Sequence, residues 1–223
     1  MKRRSAAILI IALTALFLSS CGVIDPSPTV TETPTLTLPP VTDTGAVYTN
    51  EDIGMTITYP EDWTVLSDED IGTAYAKIWD KIKEMYKDPS ELEKYKEQTI
   101  PASIAFLHSL NYVEGFNPNI NIIVMKYDVG SNIDIVAFTK QTAKEATKQA
   151  ASGAVEYGAI QPCKVGGIDA AAADLTSEQT GIKLTQKQYY IYKNQHLIII
   201  TLTDTNPEGI DTLQKAVDNV RFS

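Results

Sequence analysis

The sequence predicts an α+β domain built on a mainly antiparallel β-sheet with helices on both faces. Two observations predict it. A late hairpin runs from Lys187–Tyr192 through Lys193, Asn194 and Gln195 into His196–Leu202, and its second arm is apolar on both faces, as a strand must be when something covers each side of its sheet. Segments of helical period alternate with such strands, namely Ile71, Tyr75, Ile78, Ile82 and Met85, then Ile135, Phe138, Thr142 and Ala146, then Ile210, Leu213 and Val217, and each presents one apolar stripe that needs a partner surface.

Before the domain comes an address. Met1-Lys2-Arg3-Arg4 precede an apolar run from Ala6 to Leu18 that is too short for the ~20 residues of a membrane-crossing helix, and it ends in Leu18-Ser19-Ser20-Cys21. This resembles the lipobox of bacterial lipoproteins and divides the chain into a signal peptide over 1–20, a lipidated Cys21 with a tether to residue 46, and one domain over 47–223. The resemblance implies a diacylglycerol thioether on Cys21 and often an acylated amino terminus. Two or more chains anchor durably where a single one, at ~0.8 kcal/mol per buried methylene, does not. The tether holds Pro26, Pro28, Pro34, Pro39 and Pro40 among seven threonines and has no apolar period. At ~3.1 Å per residue in extended form it spans at most roughly 75 Å.

Within the domain, Met55, Ile57 and Tyr59 alternate with Thr56 and Thr58, Pro60 stops the strand, and Trp63 follows as an apolar anchor. Ser67 and Asp70 have capping-box spacing ahead of the Ile71–Met85 helix. Asp88-Pro89 ends that helix, and Ser90 with Glu93 opens a short helical turn before Pro101. Ala102–Leu107 and Ile120–Tyr127 read as neighbouring strands, the second apolar on both faces and so interior. A second amphipathic helix occupies Ile133–Ser152 and closes at Gly153. Val155–Val165 and Ile168–Thr176 form a strand pair turning at Gly166-Gly167, despite the helix propensity of the alanines at 170–173. Pro207 admits a last helix, and Val220-Arg221-Phe222 returns as a short edge strand.

Composition narrows the partners. Processing removes Lys2, Arg3 and Arg4 from the 19 basic residues and none of the 28 acids, which leaves a net charge of −12. A polyanion is repelled by such a chain, so nucleic acid is not an expected partner, and anionic lipid is not expected to adsorb the domain itself. With Cys21 lipidated, Cys163 has no disulfide partner and reads as a small half-buried side chain.

The opening T-N-E-D-I-G-M-T-I-T-Y-P-E-D-W, the strand N-P-N-I-N-I-I-V-M, the G-G-I-D-A-A turn, the hairpin Y-Y-I-Y-K-N-Q-H-L-I-I-I-T-L and the closing V-R-F-S occur in an order that resembles the Mog1/PsbP-like domain over nearly all of 47–223. The resemblance implies an antiparallel sheet between helices, an α/β/α sandwich, in a family whose members are mostly non-catalytic. They include extrinsic photosystem II subunits, a nuclear-transport factor that binds a small GTPase, and many bacterial lipoproteins. No functional residue is carried over from it.

Candidate chemistry is sparse. His108 and His196 stand at strand ends outside any metal-ligand spacing, Asp68-Glu69-Asp70 suits a helix start better than a calcium loop, and no nucleophile elbow, phosphate loop or paired cysteines occur. Tyr189, Tyr190 and Tyr192 suit either a binding surface or alternate packing on two faces of a strand, and the second fits strand propensity. The expectation is a membrane-anchored extracytoplasmic lipoprotein that is not an enzyme, needs no cofactor or metal, and acts as a binding or adaptor module for a protein partner. The alternatives are a small-molecule or ion-binding lipoprotein and, behind it, an enzyme in which His108, Cys163 and an acid meet through folding.

Overall fold

The computed structural model describes residues 45–67, 71, 103–109, 117–127, 133–149, 155–179 and 182–223. The elements in chain order are β1 (Ala46–Asn50), β2 (Met55–Tyr59), β3 (Trp63–Val65), β4 (Ser103–Ser109), β5 (Asn119–Lys126), α1 (Ile135–Gln149), β6 (Val155–Val165), β7 (Ile168–Gln179), β8 (Ile182–Lys193), β9 (His196–Asp204), α2 (Pro207–Asp218) and β10 (Arg221–Phe222). The fold is α+β with antiparallel pairing throughout.

Seven strands form one open sheet in the order β3-β4-β5-β9-β8-β7-β6, and β1, β2 and β10 form a second, smaller sheet in the order β1-β2-β10. β5 and β9 lie side by side near the middle of the large sheet. Every residue of β5 but Lys126 is buried, as is every residue of β9 but His196, which matches their run of apolar side chains on both faces. One face of the large sheet, with Ile120, Ile122, Ile198, Ile200 and Tyr189, packs against Ile210, Leu213 and Val217 of α2 and against Met55 and Ile57 of the small sheet. The other face carries Ile123, Ile199, Tyr190, Ala171 and Ala173 and meets Ile135 and Phe138 of α1. Helices therefore cover both faces, α1 lying over β6, β7 and β8 and α2 over β8 and β9.

Most sequence expectations land within a few residues, and the differences have local causes. α1 starts at Ile135, two residues later than expected, because Asp134 Oδ1 accepts the Ala137 N–H at 2.9 Å and caps it there. The strand expected over Ala102–Leu107 runs from Ser103 to Ser109, and the one expected over Ile120–Tyr127 from Asn119 to Lys126. β8 begins at Ile182, because Ile182, Lys183 and Leu184 pair with Gln179, Glu178 and Ser177 of β7, and Thr185, Gln186 and Lys187 pair also with Asp204, Thr203 and Leu202 of β9. The alanine run is strand, since Ala170, Ala171 and Ala173 are buried between neighbouring strands and packing overrides helix propensity. Pro60 does end β2, Trp63 is 4 % exposed, and β10 pairs at the edge with β2. Of the helix expected at Ile71–Met85 only Ile71 is described, its N–H donating to Ser67 O at 2.9 Å. Asp68-Glu69-Asp70, the turn at Ser90–Tyr95, Gly153 and residues 1–44 lie outside the described residues.

β6 is an edge strand with its own protection. Tyr157 pairs with Leu175 and Ile160 with Ala173, so β6 carries one extra residue, a bulge that bends the edge, and Pro162 removes a donor from it. The bulge also shifts which residues of β6 face inward and turns Cys163 towards the α2 side with Ala170.

The β8–β9 turn is closed by Asn194 and Gln195 at φ 49° and 60°, the left-handed pair that a two-residue hairpin turn of right-handed twist requires. Gln195 has no glycine freedom there and its side chain is exposed. Gln195→Gly is expected to raise stability by about 0.5–1 kcal/mol, read as a higher urea midpoint at unchanged slope; a lower midpoint would contradict the turn assignment.

Candidate functional site

Register builds a polar surface where an apolar core is expected. Cross-strand partners share a face, so Phe106, Asn121, Thr201, Gln188 and Ala173 form one row across the large sheet, and His108, Asn119, Thr203, Gln186 and Leu175 form the next. The row on the other side of the first, with Ile123, Ile199, Tyr190 and Ala171, is apolar. The α1 side of the sheet is therefore greasy at one end and amide- and hydroxyl-lined at the other.

The polar rows are buried. Asn121, Thr201 and Thr203 are 0 % exposed, with Asn119, Gln188 and Gln186 at 2 % or less. Part of their hydrogen-bonding capacity is used, Tyr190 OH donating to Gln188 Oε1 at 2.6 Å and Gln186 Nε2 to Thr203 Oγ1 at 3.4 Å. Asn117 Nδ2 donates to Ser109 O at 3.0 Å and lies 3.1 Å from His108 Nδ1, while Asn119 Nδ2 donates to Asn117 O at 3.1 Å. Five buried atoms, Asn117 Oδ1, Asn119 Oδ1, both amide atoms of Asn121 and Thr201 Oγ1, have no partner. At ~1–3 kcal/mol for each buried unpaired polar group, such a cluster is costly.

On the opposite face, a cleft of about 370 Å³ opens between the start of α2 and β6–β8, lined by Glu156, Asp174 and Asp211 with Lys187, Thr176 and Thr185. Near it, Asp204 ends β9 and is 6 % exposed. Its Oδ1 accepts the Asn206 N–H at 2.9 Å, and Asn206, the N-cap of α2, in turn accepts the Glu208 N–H at 2.9 Å. A Cβ at Gly209 would overlap Asp204 Oδ2, so only glycine lets the carboxylate sit against this helical turn. Burial pushes the Asp204 carboxyl up from its ordinary range, against the lowering effect of the Asn206 and Thr205 hydrogen bonds.

The histidine and cysteine candidates are kept apart. His108 is on β4 and Cys163 on β6, with β5, β9, β8 and β7 between them, roughly 24 Å of sheet at ~4.8 Å per strand. They also face opposite sides, His108 sharing a face with Asn119 and Cys163 with Ala170. No site containing both forms. Burial raises the Cys163 thiol pKa, opposed by Lys187, the reverse of an activated thiolate. His196 closes on its own hairpin, its Nδ1 2.7 Å from Asn194 O. Tyr189 and Tyr190 are buried on opposite faces, Tyr189 OH bonded to Gln214 Oε1, and Tyr192 is half-buried. Burial pushes the phenols of Tyr157, Tyr189 and Tyr190 up. Gly166 and Gly167, at φ 55° and 84°, make the β6–β7 turn. Cys21 lies outside the described residues. Among the described residues no three His, Cys, Asp or Glu side chains stand together as a metal site needs, and no helix is long and apolar enough to cross a membrane.

The polar rows escaped the sequence reading, though a signal was present. Asn119-Ile120-Asn121, Gln186-Lys187-Gln188 and Thr201-Leu202-Thr203 each place two polar residues two apart in strands of the sheet, which puts both on one face. Three such dyads in paired strands make a patch, but only the register reveals that they align.

No family model matches the sequence, and no curated protein matches it. Among solved structures it is similar to LpqN of Mycobacterium tuberculosis, described as involved in cell envelope biogenesis, at 12 % identity and a TM-score of 0.46 over 81 % of this chain and 86 % of that one. It is similar to cyanobacterial PsbP (CyanoP) of Synechocystis sp. PCC 6803 at 12 % identity and 0.46 over 86 % of this chain and 100 % of that one. A protein of Bacteroides thetaiotaomicron aligns at 11 % identity and 0.45 over 80 % of this chain and 48 % of its own length, so the chain spans about half of it.

The raised Asp204 pKa fixes a sign. The folded protein holds this proton at pH values where the unfolded chain has released it, so stability falls as pH rises from about 4 to the elevated folded value, then levels. Asp204→Asn keeps an acceptor for the Asn206 N–H and removes the buried charge. Its stability relative to wild type is expected to be better at pH 7 than at pH 4 in urea titrations; an equal difference at both pH values would refute the assignment.

Proposed function

We propose that this chain is a lipid-anchored, extracytoplasmic, non-catalytic binding module with a Mog1/PsbP-like domain. The observation that carries the proposal is the signal ending in Cys21, followed by 24 proline- and threonine-rich residues before β1. A tether of that length positions a domain near a membrane surface while leaving it free to reach a partner. The order of strands and helices, with a long late hairpin, a closing helix and a terminal edge strand, supports the family resemblance. The separation of His108 from Cys163 argues against the enzymatic alternative built on them.

The partner can be a protein, as the sequence suggests, or a small ligand.

The anchor is testable by itself. Wild-type protein is expected to carry a lipid mass on Cys21 and to sediment with membranes, and Cys21→Ser to lose that mass and lower its membrane-bound fraction at least about tenfold. An unmodified thiol in the wild type, or equal partition of both proteins, would overturn the proposal.

A further inference from the structure

The cleft beside α2 keeps its charges unspent. Register brings Glu156, Thr176 and Thr185 into one row across β6, β7 and β8, so a carboxylate and two hydroxyls follow one another at ~4.8 Å intervals. Asp174 and Lys187 face each other two residues along the same strands, and Asp211 of α2 completes the lining of the same volume of about 370 Å³. Glu156, Asp174 and Asp211 are exposed and both threonines half-buried, so a molecule in the cleft meets them directly. Among the described residues no ion pair joins these three acids to Lys187 or to any other cation. Lys187 Nζ instead lies 5.9 Å from the centre of the Tyr189 ring, which is further along β8 and away from the Glu156–Thr185 row.

A second observation comes from the next strand. Asp204 is the cross-strand partner of Thr185 and continues the row onto β9. It is 6 % exposed, and while its Oδ1 accepts the Asn206 N–H, its Oδ2 accepts no hydrogen bond among the described residues. The row therefore offers acceptors along its whole length, with a carboxylate at each end. Over it, Pro207 and Ile210 of α2 give the cleft an apolar wall. A metal ion does not suit this arrangement, because no three acids stand together as its coordination needs. Acids spread along a cleft are met instead by a chain that carries several positive N–H groups, and an apolar wall suits the methylenes between them. Three or four methylenes between nitrogens span a distance comparable to one strand spacing of ~4.8 Å.

We infer that the cleft between α2 and β6–β8 binds a linear aliphatic polyamine, with ammonium groups on Glu156 and Asp211, an inner amine at the Thr176 and Thr185 hydroxyls, and methylenes against Pro207 and Ile210. This rests on the binding-module reading in its small-ligand form. It does not depend on the anchor, so loss of amine binding and loss of membrane partition are separate failures.

The test uses full-length protein in a non-ionic detergent, with putrescine, cadaverine, spermidine and spermine as probes and magnesium chloride at equal charge as the comparison. At least one amine is expected to raise the Tm by about 5 °C or more near 100 times its Kd, with one-to-one calorimetric binding, and magnesium is expected to do neither. Glu156→Gln/Asp211→Asn keeps the size of two exposed side chains and removes their charges, so the free protein is expected to keep its Tm and to bind the amine at least about tenfold more weakly at 25 °C. Asp52→Asn/Glu61→Gln removes the same charge at exposed positions outside the cleft, and its affinity is expected to stay within about twofold of wild type. Silence from all four amines overturns the inference. So does an equal response to magnesium, or an equal loss of affinity in the two double variants, which is what diffuse attraction to an acidic chain would give.

Discussion

The pairing of β5 with β9 is the constraint on which the rest of the structure depends. Both strands are buried along almost their whole length and on both faces, and a strand in that position stays out of water only if separate elements cover each side. A fully buried isoleucine is worth about 1.5–3 kcal/mol relative to an exposed one. Ile120, Ile122, Ile123, Ile198, Ile199 and Ile200 lie at 1 % exposure or less, so this pair concentrates much of the core's driving force. The small sheet and α2 on one side and α1 on the other are consequences of that demand.

The two faces answer it differently. On the α2 side the cover is apolar and tied down at several points. Asp204 and Gly209 lock the end of β9 to the first turn of the helix, Gln214 takes the Tyr189 hydroxyl, and Lys193 Nζ reaches Ser223 O at 2.7 Å and Ile53 O at 3.2 Å, which joins the β8–β9 hairpin to both ends of the small sheet region. On the other side α1 lies over β6, β7 and β8, and the polar rows cross β5, β9 and β8 at one end of that face. The same strands thus carry apolar side chains at one end of this face and buried amides and hydroxyls at the other.

This division explains what the sequence could and could not reveal. Strand existence was legible from β-branched runs in β5 and β9, helix existence from the 3.6-residue stripes of α1 and α2, and turns from Gly166-Gly167 and Asn194. These signals are local. The assignment of strands to two sheets was not legible, because the pairing of Arg221 with Thr56 joins residues far apart in the chain, and nothing in either short segment specifies the other. The shift of β8 to Ile182 was hidden for a related reason: Thr185 and Gln186 look like loop residues until Asp204 and Thr203 are opposite them. The candidate site belongs to the same class. Each polar dyad alone reads as an ordinary half-solvated strand face, and its meaning changes only once neighbouring strands bring three dyads together and bury them.

Burial turns that alignment into an energetic statement. An exposed asparagine trades a water for a protein partner at little net gain, whereas one left unpaired inside a sheet loses its water and receives nothing. Thr203 and Gln186, and Gln188 and Tyr190, solve the problem by bonding each other. Asn121 and Thr201, in the adjoining row and equally buried, do not. An apolar pair at those positions would leave no buried side-chain polar atom unpaired there. The cost of these amides on β5 is thus set by register, which decides which buried polar side chains face a partner and which do not.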